Sequence, residues 1–206
     1  RHVKIDLAAC KTSVHRCDVM SHHASAPGKT GMTFKLIAAA LSACLLTGLR
    51  ADAGTGFQFN AIDGGMIDLD SFSGQPVLVV NTASLCGFSG QYDDLQTLQD
   101  TYGAQGLVVL AVPSNDFNQE LADDAAVKEY CAVNFDLTLP MTEITSVKGS
   151  TAHPFYAWLK KEHGFAPGWN FNKVLIGPDG TVVATWGSRV RPMSGTVTKA
   201  IEPLLQ

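Results

Sequence analysis

Basic residues are scarce over most of this 206-residue chain. Residues 54–206 contain eight Lys and Arg against sixteen Asp and Glu, whereas residues 1–53 contain seven against three. A segment with such an acidic excess repels a phosphate backbone, and it has no stripe of basic residues interleaved with aromatics. The composition therefore argues against a nucleic-acid-binding protein.

Long apolar runs are also lacking. Residues 36–46 are almost wholly apolar, but a membrane-spanning helix needs roughly 20 apolar residues. The run follows Lys35 and precedes Ala51-Asp52-Ala53, which has the small-x-small form of a signal-peptidase site. We therefore expect a secretory signal peptide at residues 32–53, a periplasmic or secreted protein, and no stable membrane span.

Two alternatives concern the same N-terminal region. Leu41-Ser42-Ala43-Cys44 resembles a lipobox, which would make Cys44 the lipidated first residue of an anchored form. Because Leu45 and Leu46 continue the apolar run, cleavage after Ala53 is favoured. Residues 1–31 show neither helical nor alternating periodicity, so we leave them unassigned and expect them to be disordered or not part of the native protein.

Cysteine is sparse in the remaining domain, residues 54–206. Three of the five cysteines precede it, which leaves Cys86 and Cys131. Its two histidines, His153 and His163, have no cysteine or carboxylate partners at ligand spacing. The sequence of the domain therefore predicts no metal site, and it contains no cofactor motif.

The periodicities of the domain begin with a hairpin and a βαβ unit. Residues 57–69 alternate about the turn-prone Asp63-Gly64-Gly65, which predicts a β-hairpin. Continuous apolar runs at residues 77–80 and 107–112 are typical of strands covered on both faces. Helically spaced apolar residues lie between these runs: Tyr92, Leu95, Leu98 and Tyr102.

Three further helices and a second hairpin follow. Apolar faces predict helices near residues 127–135 and 154–163, the latter closed by Gly164, and a last helix over residues 197–205. Residues 174–176 and 181–184 flank a turn with Pro and Gly and predict antiparallel strands. A mixed α/β sheet flanked by helices, with an N-terminal β-hairpin, is the arrangement of the thioredoxin fold.

Cys86 is the candidate nucleophile, because it follows a predicted buried strand and precedes a predicted helix. Backbone N–H groups and the positive end of the helix dipole favour a thiolate over a thiol at such a position. Gly87 and Gly90 would let a substrate approach. The alternative is an inert cysteine buried at the end of a strand.

Three ordered motifs resemble those of cysteine-type glutathione peroxidases. Residues 81–88, Asn-Thr-Ala-Ser-Leu-Cys-Gly-Phe, closely resemble the family's active-site stretch. Residues 113–120 resemble the loop that holds its catalytic Gln, and Trp169-Asn170-Phe171 resembles its Trp-Asn-Phe motif. With weaker similarity elsewhere, the resemblance covers nearly all of residues 57–205.

The resemblance implies a catalytic tetrad of Cys86, Gln119, Trp169 and Asn170. The indole N–H and the two side-chain amides are neutral donors, which can hydrogen-bond a thiolate and then the leaving oxygen. In one respect the chain departs from the family, because Asn118 alone separates Phe117 from Gln119. This loop is one residue shorter than usual, so we expect the Gln119 amide to point in a different direction.

The resemblance also implies a reaction. Cys86 would reduce hydrogen peroxide and organic hydroperoxides to water and alcohols, forming a sulfenic acid that thioredoxin or glutathione then reduces, without a cofactor. Cys131 is the candidate resolving cysteine, but it falls one residue before the family's resolving position, where this chain has Ala132, and its place on an apolar helix face favours a structural role. Residues 165–168 stand where tetrameric members carry a long insertion, so a monomer is expected.

Two other functions are compatible with parts of the sequence. Residues 86–89, Cys-Gly-Phe-Ser, resemble a redox Cys-x-x-Cys motif without its second cysteine, as in a thiol-disulfide oxidoreductase. A non-catalytic thioredoxin-like binding module would leave Cys86 unreactive. Neither function requires Trp169 and Asn170.

Overall fold

The computed structural model describes residues 55–206. The predicted signal peptide at residues 32–53, the lipobox cysteine Cys44 and the unassigned residues 1–31 lie outside this range. Among residues 55–206, no helix is both long enough and apolar enough to cross a membrane.

The domain begins with the predicted hairpin. Strands β1 (Gln58–Asn60) and β2 (Met66–Asp68) pair antiparallel. In the turn between them, Gly64 and Gly65 have φ angles of 86° and 82°, a left-handed conformation that glycine adopts without steric cost. The prediction is confirmed, and these two glycines are its physical basis.

A four-stranded mixed sheet forms the centre of the domain. Strand β3 (Val77–Thr82) is parallel to β4 (Val108–Pro113), and helix α1 (Gln91–Tyr102) connects them, as predicted. Strand β5 (Lys173–Ile176) pairs antiparallel with β3 on one side and with β6 (Val182–Trp186) on the other. The strand order β4-β3-β5-β6 is that of the predicted thioredoxin fold.

The other helices are α2 (Asp124–Phe135), α3 (Pro154–His163) and α4 (Gly195–Ile201). The bounds predicted for α3 are confirmed, with Gly164 at φ 64° as the left-handed cap. The bounds predicted for the last helix are wrong: α4 ends at Ile201, and a 3₁₀ turn (Glu202–Leu204) follows. Pro203 explains the change, because it lacks an N–H and its ring clashes with the preceding turn of an α-helix.

Successive residues of the buried strands point to opposite faces of the sheet. One face packs against α1, α2 and α4, and the other against α3 and the hairpin. The first face includes Leu78, Val80, Val109, Ala111 and Leu175. The second includes Val77, Val79, Leu110, Val112, Val174 and Ile176. Burial on both faces explains why these strands are continuously apolar.

Candidate active site

Cys86 lies in the turn between β3 and α1. Its residue surface is 3% exposed, whereas the adjoining Leu85 is 60% exposed. The sulfur accepts the backbone N–H of Phe88 at 3.4 Å. The predicted backbone donor is therefore present, but it comes from the turn itself, since α1 begins only at Gln91.

Gln119 and Asn170 are joined by their side chains. The Asn170 Nδ2 group, which is buried, donates to Gln119 Oε1 at 3.1 Å. Because Gln119 uses its oxygen as the acceptor, its amide NH₂ group is left to donate elsewhere. Asn118 has a left-handed φ of 56°, and this bend brings the Gln119 amide of the shortened loop to Asn170.

Trp169 stands at the edge of the site and is 41% exposed. Its ring packs on Phe117, with centroids 5.3 Å apart. Its carbonyl accepts from Asn81 Nδ2 at 3.0 Å and from Asn172 Nδ2 at 2.5 Å. The Trp-Asn-Phe segment is thereby held against the end of β3.

Asn81 is the residue of β3 that makes this attachment. Besides its bond to Trp169, its Oδ1 accepts the Asn172 N–H at 3.1 Å and its carbonyl accepts the Phe171 N–H at 2.6 Å. The sequence motifs assign Asn81 no role of its own. The available signal was a polar residue continuing an otherwise apolar strand.

The Cys86 turn is also attached to the Gln119 loop. The Leu85 N–H donates to the Gln119 carbonyl at 2.9 Å, and the Ser84 N–H donates to Glu120 Oε1 at 3.0 Å. All three segments that carry the predicted tetrad therefore meet at the carboxyl end of β3.

Cys131 lies on α2 and is 1% exposed. Both Cys86 and Cys131 are free thiols, and both belong to the core beneath α1 and α2. Burial raises the pKa of the Cys131 thiol to about 11, and the nearby Glu120 adds to this effect. Cys131 is thus protonated near neutral pH in the folded state.

Lys173 is a second buried polar residue to which the sequence motifs assign no role. It is fully buried, and its ammonium donates to Gln91 Oε1 at 2.5 Å and to the Val190 carbonyl at 2.6 Å. Desolvation lowers its pKa to about 8. Because Gln91 in turn donates to the Ser188 carbonyl at 2.7 Å, Lys173 ties the loop before α4 to the start of α1.

An open cleft of about 490 Å³ lies beside the site. Its walls include Phe88, Trp169 and Arg189. It combines apolar rings with one cation, and can take an organic molecule next to the indole of Trp169. Within residues 55–206, no group of three His, Cys, Asp or Glu side chains could hold a metal ion.

Comparison with known proteins agrees with these motifs. Residues 55–160 match the family model for glutathione peroxidase. A glutathione peroxidase of Lactococcus lactis subsp. cremoris is 38% identical over 143 residues, which cover 66% of this chain and 91% of that protein. The hydroperoxy fatty acid reductase gpx1 of Synechocystis sp. is 37% identical over 164 residues, covering 73% of this chain and 94% of that protein.

A solved structure shows the same fold. The crystal structure of T. cruzi GPX1 aligns with a TM-score of 0.55 at 32% identity, covering 72% of this chain and 93% of that one. The family match confirms the resemblance read from the three motifs, and it favours a peroxidase over a thiol-disulfide oxidoreductase or a non-catalytic module. The chain therefore belongs to the glutathione peroxidase family and is a thiol-dependent peroxidase.

Proposed function

We propose that Cys86 is the peroxidatic nucleophile and that Gln119, Trp169 and Asn170 are its neutral hydrogen-bond donors. One observation carries this proposal: the turn that holds Cys86 is hydrogen-bonded to the loop of Gln119, whose side chain is bonded to Asn170. These hydrogen bonds bring together three segments that are distant in sequence and that carry Cys86 and the proposed donors. They supply the polar surroundings that a developing anion needs.

In the proposed reaction, the Cys86 thiolate attacks the outer oxygen of a hydroperoxide. An S–O bond forms, the O–O bond breaks, and the leaving oxygen takes a proton to become water or an alcohol. Sulfur is oxidised to a sulfenic acid while the peroxide is reduced. The same neutral N–H donors can hydrogen-bond the thiolate first and the leaving oxygen afterwards, and they stay uncharged throughout.

We propose that both hydrogen peroxide and organic hydroperoxides are substrates. The cleft walled by Phe88 and Trp169 offers apolar contact for an organic chain, and the Synechocystis relative is named for hydroperoxy fatty acids. Phe88 links the cleft to the nucleophile, because its ring is part of the wall and its backbone N–H donates to the Cys86 sulfur.

Mass spectrometry after brief exposure to peroxide tests the nucleophile. Equimolar hydrogen peroxide should add one oxygen at Cys86, trapped with dimedone, while Cys131 stays reduced in the presence of the trap. A Cys86→Ser variant should lose peroxidase activity entirely, and Cys131→Ser should keep the Cys86 adduct. An unmodified Cys86 in active wild-type enzyme would falsify the proposal.

Two routes can return the sulfenic acid to a thiol. In one, the Cys131 thiol condenses with Cys86 sulfenic acid, releasing water and forming a disulfide that the dithiol of thioredoxin reduces by exchange. In the other, glutathione attacks the sulfenic acid directly and a second glutathione completes the reduction. The burial and raised pKa of Cys131 favour the direct route unless α2 opens locally, because a buried, protonated thiol is a poor nucleophile.

The Cys131→Ser variant separates the two routes. If Cys131 resolves the sulfenic acid, the variant should lose steady-state turnover with thioredoxin and keep its single-turnover reaction with peroxide. If reduction is direct, turnover with glutathione should equal that of the wild type. Full thioredoxin-dependent turnover in Cys131→Ser would rule out the two-cysteine cycle.

We also propose that the enzyme is exported through a signal peptide at residues 32–53 and acts as a monomer. The apolar run followed by Ala51-Asp52-Ala53 supports export, and the short segment between Gly164 and Trp169 supports a monomer. N-terminal sequencing of the exported protein should begin at Gly54. Light scattering should give the mass of one chain.

A further inference from the structure

Glu120 is a buried carboxyl next to Gln119 that the proposed reaction does not use. Only 7% of its surface is exposed. Its Oε1 accepts two backbone N–H groups, from Ser84 at 3.0 Å and from Leu121 at 2.9 Å. Its own N–H donates to Asn115 Oδ1 at 3.2 Å. One oxygen therefore bonds both the Cys86 turn and the loop of Gln119.

A second bond runs parallel to this one. The Leu85 N–H donates to the Gln119 carbonyl at 2.9 Å, so two consecutive residues of the turn are attached to two consecutive residues of the loop. Two adjacent hydrogen bonds restrain both the distance and the relative orientation of the turn and the loop, whereas a single bond would let the turn rotate about it. The relative position of Cys86 and Gln119 thus depends on the Glu120 carboxyl.

The cost of burying Glu120 argues against a role in stability alone. Its Oε2 is buried and has no hydrogen-bond partner within the described part of the chain, and an unsatisfied buried polar atom is destabilising. Desolvation raises the pKa of the carboxyl, which favours its neutral form. The titratable groups that interact with it electrostatically are Tyr92 on α1 and Cys131 on α2.

We propose that Glu120 is a positioning residue of the peroxidase, whose carboxyl oxygen holds the Ser84–Cys86 turn at the distance from Gln119 that the reaction requires. This inference rests on the proposed roles of Cys86 and Gln119. The carboxyl acts as an acceptor of N–H bonds, so its function does not depend on its charge. An uncharged side chain with an oxygen at the same position should replace it.

The test compares two reactions of Cys86 in single turnover. Oxidation by hydrogen peroxide requires the Gln119 amide to be correctly placed relative to the Cys86 sulfur, whereas alkylation by iodoacetamide requires only an accessible thiolate. Glu120→Ala should slow oxidation at least about tenfold, since a misplacement of 1 Å can cost about 100-fold, and should change alkylation much less. Glu120→Gln keeps the acceptor and should oxidise within a few-fold of the wild type.

Asp70→Ala provides a matched control. Asp70 also accepts hydrogen bonds from backbone and side-chain donors, namely Gly56 and Thr55, but it belongs to the 3₁₀ turn after β2 and not to the site. Its loss should leave both rates of Cys86 unchanged. Circular dichroism and thermal unfolding monitor the fold of each variant.

The following outcomes decide the inference. Equal oxidation rates in Glu120→Ala and wild type overturn it, as does a Glu120→Gln rate as low as that of Glu120→Ala. If Glu120→Ala does not fold, Glu120→Asp decides, because withdrawing the carboxyl by one methylene should slow oxidation while Glu120→Gln does not. A wild type whose Cys86 is not oxidised by peroxide instead refutes the proposed function, so the two failures are distinguishable.

Discussion

At the scale of single residues, the proposed chemistry depends on dipoles. The sulfur of Cys86 accepts a backbone N–H. The amide NH₂ group of Gln119 stays available as a donor, because Asn170 donates to the amide oxygen of Gln119. Preorganised neutral donors in a partly buried site stabilise a developing charge more strongly than water does, because they need not reorient during the reaction. A charged base next to the sulfur is not required.

Trp169→Phe tests the indole donor directly. Phenylalanine keeps an aromatic ring to pack on Phe117 but removes the N–H group. Loss of one such donor should lower the rate of Cys86 oxidation by about 100-fold, measured by stopped-flow with hydrogen peroxide. Trp158→Phe makes the same change on α3, where the ring packs against Phe57, and should have no effect. Equal rates in both variants would exclude Trp169 as a donor.

At the scale of the elements, the cap at the end of α2 is hydrogen-bonded to the backbone of Cys131. Gly164 caps the end of α3, whereas Asp136 caps the end of α2 in the same left-handed region, with φ 47°. Asp tolerates this conformation less well than Gly does. The Cys131 carbonyl accepts one of the capping N–H bonds, so the stability of this cap bears on how readily α2 opens at Cys131.

Asp136→Gly should therefore stabilise the protein by about 0.5–1 kcal/mol. Gly164→Ala, the converse change at the end of α3, should destabilise it by about 1 kcal/mol or more. Urea unfolding measures both. If the two-cysteine route operates, Asp136→Gly should also slow formation of the Cys86–Cys131 disulfide. A destabilised Asp136→Gly variant would show that the Asp136 side chain contributes a contact that outweighs the strain.

At the scale of the whole molecule, His153 attaches the N-terminal hairpin to α3. Its Nδ1 accepts the Phe155 N–H at 3.3 Å, which leaves the hydrogen on Nε2 to donate to the Gln58 carbonyl at 2.9 Å. Its ring also stacks on Phe59 at 4.0 Å. The bond from Phe155 requires the neutral imidazole, because a proton on Nδ1 would remove the acceptor, whereas Nε2–H can donate to Gln58 in either form.

Stability should accordingly fall in mild acid. Burial lowers the pKa of His153 below its ordinary value of 6.5, so the unfolded chain binds the proton first. The contribution of His153 is complete above 6.5 and is lost as the pH falls through the lower pKa of the folded state. Urea unfolding across this range should show the decrease. His153→Asn, which keeps a capping acceptor, should make the loss of stability in acid smaller. The control His163→Asn should leave that loss unchanged.

The sequence alone determined the features that depend on short-range physics or on contiguous motifs. Gly64 and Gly65 dictated the hairpin turn, Pro154 and Gly164 bounded α3, and continuous apolar runs identified the buried strands. The motifs containing Cys86 and Trp169 identified the family and the reaction. Each of these signals lies within a few residues of the feature that it predicts.

Only the tertiary structure decided how the site is assembled. The bond between Gln119 and Asn170 joins residues 51 positions apart, and the bond between Ser84 and Glu120 joins residues 36 positions apart. The burial that shifts the pKa of Glu120 and of Lys173 also comes from elements distant in the chain. Local periodicity cannot specify such contacts or the desolvation of a particular side chain, because both arise when separate elements pack together.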